Sequence, residues 1–316
     1  MPGMWSTGHG GRFIPLFRED SVHLGKIQMQ QELVLINMYP GFAAIKGEYW
    51  MYNTTDKSVT MRVGYPINGS YEAELVDNVM FNDLHHLKAF VNDQSVNVVK
   101  PAEGYDSVYR EIDNMQMQNW YYFKTTFAPK QVTKITIYFL TNNSDAMLGR
   151  GYGRDKGNAF AYILETGRAW AGKIERGNVL IKLNEGLTLK DFRGVYPVNT
   201  LMGDDKHLQF AFNNLEPDSA NNILLWYNVG DKENFSFDSV LKNANQYFGQ
   251  LDRFPLAEFE TNNFKKILKD DFEPHDSGLG WLWVILIAIG LIGIALLAGI
   301  IYLIYRLIRR IRNSRN

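Results

Sequence analysis

Along Phe42–Tyr52 the side chains of Ala43, Ile45, Tyr49 and Met51 alternate with Lys46, Glu48 and Trp50, the period of two expected of a half-buried strand. A turn cluster, Asn53-Thr54-Thr55-Asp56, follows, and then Val59, Met61 and Val63 alternate with Thr60 and Arg62. Leu87, Ala89 and Val91 face Val96 and Val98 across Asn92-Asp93-Gln94, which predicts a hairpin. Tyr121, Phe123 and Phe127 alternate in the next strand, Pro129-Lys130 turns the chain, and Ile135, Ile137 and Phe139 share one side of Val132–Leu140. Strand patterns continue through Phe160–Glu165, Asn178–Leu183, Leu208–Phe212 and Asn222–Tyr227, while Gly149–Gly157, rich in glycine and charge, reads as a hairpin loop. Many strands at short spacing without intervening helices predict a mainly β fold, an antiparallel β-sandwich. From Ser236 the period becomes helical, with Val240, Leu241, Ala244, Tyr247, Phe248 and Leu251 in one stripe and Ser236 or Asp238 as N-cap. Pro255 opens a second expected helix, with Leu256, Phe259, Ile267 and Leu268 apolar and Lys265, Lys266 and Lys269 on its other side. These two juxtamembrane helices are expected to form a stalk or collar.

The pattern then loses its polar face altogether. From Trp281 to Tyr305 no residue is charged, and at 1.5 Å per residue a helix of that length exceeds a bilayer core of roughly 30 Å. Trp281 and Trp283 fall at one expected headgroup level, Tyr302 and Tyr305 at the other. Asp270, Asp271, Glu273 and Asp276 precede the span, whereas Arg306, Arg309, Arg310, Arg312 and Arg315 follow it without an acid among them. Basic residues just beyond a span are retained on the cytoplasmic side, so Arg306, Arg309 and Arg310 predict a cytoplasmic C-terminus and an extracytoplasmic bulk. Ala295 and Gly299, with Gly290 and Gly293 nearby, are spaced for close helix approach and admit self-association through the span. No ionisable residue lies within it, so the span is an anchor without an ion path.

Export needs a signal, and Met1-Pro2-Gly3-Met4-Trp5-Ser6-Thr7-Gly8 has neither a basic n-region nor an apolar run. Three explanations stay open: a signal peptide already removed, a true start further upstream, or a tail anchor with the bulk in the cytoplasm. The chain has no cysteine, which points to a bacterial envelope rather than an animal secretory pathway. Setting aside the five tail arginines leaves 28 basic against 34 acidic residues, a net charge of −6 that argues against nucleic acid as a partner. The chain is expected to divide into an N-terminal segment (1–12), a β-sandwich (13–145), a second β-rich lobe (146–232), a helical stalk (233–276), the transmembrane helix (281–305) and a basic tail (306–316).

The strand run also carries a resemblance. Gly10-Gly11-Arg12-Phe13-Ile14-Pro15-Leu16, Met29-Gln30-Gln31-Glu32 leading into Leu33–Ile36, Ala44–Asn53, and Met61–Pro66 with its Gly64-Tyr65-Pro66 follow one another in an order that resembles a family of exported bacterial proteins classed only as a domain of unknown function. Tyr162–Ile174 and Asn214-Leu215-Glu216-Pro217, leading to Asn222-Ile223, extend the resemblance over about residues 10–228. It implies a signal-bearing envelope protein with an immunoglobulin-like sandwich, here as a mature chain with a substitute Met1. It implies no activity and no catalytic residue.

Candidate chemistry is sparse. His85-His86, near Asp83 and Asp93, is the nearest approach to a metal motif, but neighbours on a strand point to opposite faces. Gly149-x-Gly151-x-Gly153 precedes a strand where a phosphate loop needs a helix. Gly-x-Ser-x-Gly is absent, and the lack of cysteine excludes a thiol nucleophile. Gly203-Asp204-Asp205-Lys206 reads as a solvated turn before it reads as a calcium loop. No catalytic residue, metal ligand or cofactor is assigned. Among 43 aromatic residues, Trp50 and Tyr52, and Trp120 and Tyr122, fall on the polar sides of their strands. Such rings can stack on a glycan or receive a protein partner, or they can lie beneath a second layer. The expected protein is thus a single-pass, membrane-anchored extracytoplasmic binding module. An envelope glycan or peptidoglycan hydrolase, with carboxylates assembled only by folding, and an accessory subunit of a larger membrane complex remain as alternatives.

Overall fold

The structure is a computed structural model that describes residues 5–7, 13–15, 18–23, 25–66, 70–73, 76–80, 84–99, 120–150, 153–197, 200–229, 236–260, 263–269 and 280–313. Among these residues strands predominate. In chain order they are β1 (Trp5–Thr7), β2 (Phe13–Pro15), β3 (Ile27–Tyr39), β4 (Phe42–Asn53), β5 (Val59–Pro66), β6 (Ser70–Ala73) and β7 (Val76–Met80). Next come β8 (Leu84–Val91), β9 (Gln94–Val96), β10 (Trp120–Phe127), β11 (Val132–Asn142), β12 (Ala146–Arg150) and β13 (Gly153–Tyr162). The last are β14 (Ile174–Leu183), β15 (Phe192–Tyr196), β16 (Met202–Gly203), β17 (His207–Leu215), β18 (Ile223–Tyr227) and β19 (Lys265–Lys266). Helices α1 (Phe237–Lys242), α2 (Ala244–Leu251) and α3 (Ala257–Glu260) belong to the same β-rich unit, and α4 (Gly280–Asn313) belongs to a second one.

Nine strands form one large sheet in the order β19-β16-β17-β14-β3-β4-β11-β8-β9, and six form another in the order β15-β18-β13-β12-β7-β6. The large sheet is mixed. Antiparallel pairs dominate it, but β14 runs parallel to β3 over eight residue pairs, from Arg176↔Gln31 to Leu183↔Met38. This corrects the all-antiparallel expectation. It also places strands from either side of the expected 145/146 boundary in one sheet.

The alternating patterns decide which face is buried. Ala43, Ile45, Tyr49 and Met51 of β4, Val59, Met61 and Val63 of β5, and Ile135 and Ile137 of β11 are all at most 3% exposed. They join Phe160, Phe192, Ile223 and Leu225 from the six-stranded sheet in a single apolar cluster. Three glycines in the strands are fixed by aromatic rings laid over them. A Cβ on Gly177 would lie 1.9 Å from Phe212 Cζ, one on Gly157 2.7 Å from Trp226 Cζ2, and one on Gly47 2.2 Å from the Tyr49 hydroxyl. Gly157 explains why the Gly149–Gly157 segment departs from the expected loop. Its glycine and charge disguise strand, with β12 running to Arg150, β13 starting at Gly153 and Gly157 lying beneath Trp226. The hairpin between β8 and β9 turns through Asn92 and Asp93, whose φ of 48° and 64° are those of the tight turn that matches strand twist.

The outer face of the large sheet carries a second, smaller core. Leu35, Tyr39, Phe42, Ala44, Leu140 and Leu180 meet Val240, Ala244, Phe248 and Leu251 of α1 and α2, with Phe254 and Phe259 beyond. The helical stripe is therefore real, and it is spent on the sheet. The segment expected to stand as a stalk lies flat against β3, β4 and β11. Asn243 ends α1 and starts α2, its side chain donating to Ser239 O. The second expected helix shrinks to α3. Beyond it the chain joins the sheet edge as β19, Ile267 N donating to Leu201 O at 3.0 Å and Val195 N to Lys269 O at 2.9 Å. Backbone pairing at an open edge outweighed the apolar spacing that suggested a helix.

The separate helix α4 contains a 23-residue stretch, Ile285–Leu307, long and apolar enough to cross a membrane. Within Ile285–Leu307 the leucines and isoleucines are exposed, with no polar face among them. Trp281, Trp283, Tyr302, Tyr305, Arg306, Arg309 and Arg310 all lie on this one helix.

Candidate functional site

Among the described residues, α1, α2 and α3 cover part of the outer face of the large sheet. Beyond them, β3, β4, β11 and β14 present a different set of side chains. Strand register aligns Gln31, Trp50 and Lys134 across β3, β4 and β11, and Arg176 of β14 stands beside Gln31. The next row is Gln28, Tyr52 and Val132. Val132 is 45% exposed, so this row opens to solvent, and Trp50 and Tyr52 are half-buried. The bulge between Met29 and Gln31 keeps both Gln28 and Gln31 on the outer side.

Polar contacts hold the rows in place. The Lys134 ammonium lies 5.5 Å from the centroid of the Trp50 ring and 2.9 Å from Glu48 Oε1. Arg176 Nη2 donates to Gln31 Oε1 at 3.2 Å, and Gln28 Nε2 donates to Lys173 O at 3.2 Å. The Tyr52 hydroxyl makes no hydrogen bond among the described residues. Where the face meets α2, Lys46 Nζ donates to Asp252 Oδ1 at 2.9 Å and the Tyr138 hydroxyl donates to the same oxygen at 2.6 Å. Burial works against the Lys46 charge, but Asp252 and Tyr138 outweigh it and hold the ammonium above its ordinary value. Burial likewise opposes ionisation of Asp252, and the hydrogen bonds from Tyr138 and Lys46 prevail, keeping its carboxyl below the usual range. Tyr138 is pushed up to about 12 by burial and by Asp252. This ion cluster closes the border between the covered and open parts of the sheet.

A second polar cluster clamps α3 to the sheet. His207 Nδ1 lies 3.0 Å from Asp204 Oδ1 and its Nε2 2.9 Å from Glu258 Oε2, which Lys182 Nζ also reaches at 2.9 Å. Gly203-Asp204-Asp205-Lys206 is thus a turn whose Asp204 accepts from Lys206 N and His207 N, and both fall at 2.8 Å. The third cluster is internal. Glu32 of β3 is 1% exposed and accepts from the Tyr162 hydroxyl; Tyr162 lies 2.9 Å from the Tyr49 hydroxyl, to which Tyr65 donates at 2.7 Å. Burial raises Glu32 to about 7, with the Tyr162 hydrogen bond opposing the rise.

Of the four aromatic residues singled out from the sequence, Trp50 and Tyr52 share this open face. Trp120 and Tyr122 lie elsewhere, on β10, which pairs with β5 in a separate two-stranded sheet. The structure does not bring the two pairs together. His85 of the two adjacent histidines packs edge-on against Phe237 of α1, with ring centroids 5.0 Å apart. Among the described residues no group of three or more His, Asp or Glu side chains is placed to hold a metal ion. Glu32 was missed by pattern reading, although a signal existed: it shares one side of β3 with Val34, Ile36 and Met38, an acid in an apolar column. Gln28, Gln31, Lys134 and Arg176 carried no such signal, because their juxtaposition exists only in the sheet.

No family model matches the chain, and no curated protein matches it. Solved structures do. A candidate nutrient-binding protein from Legionella pneumophila superposes with a TM-score of 0.47 and 18% identity over 73% of this chain and 71% of that one. The M1 zinc metallopeptidase from Deinococcus radiodurans gives 0.36 and 10% over 65% of this chain and 43% of that one. Yeast LTA4 hydrolase gives 0.35 and 5% over 64% and 29%. The chain spans less than half the length of the metallopeptidase and of the hydrolase. Likeness at this level carries no argument about activity.

Proposed function

We propose that this chain is a single-span membrane protein whose β-rich unit is a non-enzymatic binding module, with the Trp50–Tyr52 face as its contact surface and an envelope glycan as its ligand. The observation that carries this reading is the open double row Arg176-Gln31-Trp50-Lys134 and Gln28-Tyr52-Val132, left uncovered on a sheet whose adjoining part is buried beneath α1 and α2. An indole face stacks on the apolar side of a sugar ring, and flanking amides, guanidinium and ammonium groups donate to its hydroxyls and carboxylates. The unit would be a two-sheet sandwich standing outside the cytoplasmic membrane, with α4 as its anchor and Arg306, Arg309 and Arg310 on the cytoplasmic side. The acids that do converge, Asp204 and Glu258 on His207 and Glu48 and Asp252 on Lys46, are engaged by bases. That favours binding over hydrolysis.

The test is a pull-down of the full chain, in detergent micelles, on purified peptidoglycan sacculi. Retention is expected for the parent protein and a loss of at least about tenfold for Trp50→Ala, the 1.4 kcal/mol of one stacked ring. Equal retention of both, or none of either, would count against this face as a glycan site. Capture of a defined protein by the same face would move the reading to a protein partner.

A further inference from the structure

The row of tyrosines that ends on Glu32 has a direction. Tyr162 gives its single hydroxyl proton to Glu32 Oε1, so Tyr49 must donate to Tyr162, and Tyr65 donates in turn to Tyr49. All three protons therefore point toward the carboxylate. Four residues on four strands take part: Glu32 on β3, Tyr49 on β4, Tyr65 on β5 and Tyr162 on β13 of the other sheet. Their side chains are at most 2% exposed.

Among the described residues Glu32 Oε2 has no hydrogen-bond partner. Among the described residues, the titratable groups facing Glu32 are the three tyrosines and no base. On β14 the residue opposite is Gly177, which offers no side chain. An ionised carboxylate with one orphaned oxygen in such a place is costly, and a neutral acid is far less so. A proton on Oε1 would convert Glu32 from acceptor to donor. Tyr162 would then accept from it and donate to Tyr49, Tyr49 would donate to Tyr65, and Tyr65 would aim its proton away from the chain. One O–H bond forms at Glu32, one proton is taken from water, and each hydroxyl turns about its C–O bond. No tyrosine is deprotonated.

We propose that Glu32, Tyr162, Tyr49 and Tyr65 form a reversible hydrogen-bond wire whose ligand is a proton, bound at Glu32 and reported at Tyr65. The elevated Glu32 value places the reversal near neutral pH, within reach of an envelope compartment. Burial keeps the tyrosines themselves protonated throughout that range. Glu32 pairs with Tyr49 on the inner side of the same two strands that carry Gln31 and Trp50 on the outer side. The wire nevertheless stands on its own geometry, whatever the outer face binds.

The experiment is NMR of the full chain in detergent micelles with tyrosine labelled at Cζ, followed from pH 5 to 9 and assigned by single Tyr→Phe variants. The Tyr162 and Tyr65 signals are expected to shift with one shared midpoint near 7. Glu32→Gln should abolish both shifts. Tyr49→Phe should abolish the shift at Tyr65 and leave that at Tyr162. If Glu32→Gln does not fold, Tyr162→Phe keeps the carboxylate and should silence Tyr65 alike. A Tyr65 signal that stays constant with pH, or that still titrates in Tyr49→Phe, overturns the proposal.

Discussion

Two regions of one sheet face, built on the same strands, meet opposite fates. Toward the β3–β4 turn, Leu35, Tyr39, Phe42, Ala44, Leu140 and Leu180 lie buried beneath α1 and α2. Farther along, on the same side of the same strands, Gln28, Gln31, Trp50, Tyr52 and Lys134 stay open or half-open. The β4–β11 pairing is continuous from one to the other, while β3 bulges between Met29 and Gln31 at the open rows. The difference therefore lies in side-chain chemistry and in that one bulge. Aliphatic positions recruit a helical layer, and amides, charges and amphipathic rings do without one. The covered region is expected to carry stability and the open region recognition.

The largest effect should come from the covered region. Phe248 packs tilted against Tyr138 at 5.5 Å and is 5% exposed, so Phe248→Ala should cost about 3–5 kcal/mol in denaturant unfolding. Trp50→Ala, on the open region, should cost under about 2 kcal/mol while sharply weakening ligand retention. Were Trp50→Ala to unfold the protein as readily as Phe248→Ala, the division of labour would fail.

Beneath both regions, Glu32 makes stability depend on pH. Its folded value, about 7, lies above the ordinary 4.5, so the folded state holds the extra proton between those limits. Stability should accordingly be highest below about 4.5, as far as this group is concerned, and fall as pH rises toward 7. That loss is on the order of 3 kcal/mol. Glu32→Gln should flatten the fall and be the more stable protein at pH 8, read from urea midpoints at several pH values.

Gly177→Ala should destabilise by about 1–3 kcal/mol, because its Cβ would sit 1.9 Å from the Phe212 ring atom and either ring or strand must move. The smallest change belongs to the border. Lys46 meets Asp252, whose side chain is 53% exposed, and Lys46→Met should alter stability by less than about 1 kcal/mol. An effect of core size there would mean that the ion cluster, rather than the apolar contact, fixes α2 on the sheet.

Where one face of a strand is apolar and the other is not, sequence alone predicted the outcome. Tyr49 and Met51 turned inward against Lys46 and Glu48, and Asn92-Asp93 made the hairpin. Alternation names the face of a strand and is silent about its neighbour. Nothing in Asn178–Leu183 announced a parallel partnership with Leu33–Met38, roughly 145 residues earlier in the chain. The 255–269 segment misled for a related reason. Phe259 and Ile267 are apolar at helical spacing, yet Ile267 is buried as part of an edge segment bonded to Leu201. Of the candidate site, Trp50 and Tyr52 were legible as rings on a polar side. The amides and charges around them were not, since register brings them together only after folding.

The central claim is that the open rows, and not the helix-covered part, meet the ligand. Hydroxyl-radical footprinting of the full chain, with and without soluble peptidoglycan fragments, tests this residue by residue. Trp50 and Tyr52 should lose most of their labelling when fragments are present, while Tyr247 on α2 should label unchanged. Unaltered labelling of Trp50 and Tyr52 beside saturating fragments, or protection confined to Tyr247 and its neighbours, would contradict the account.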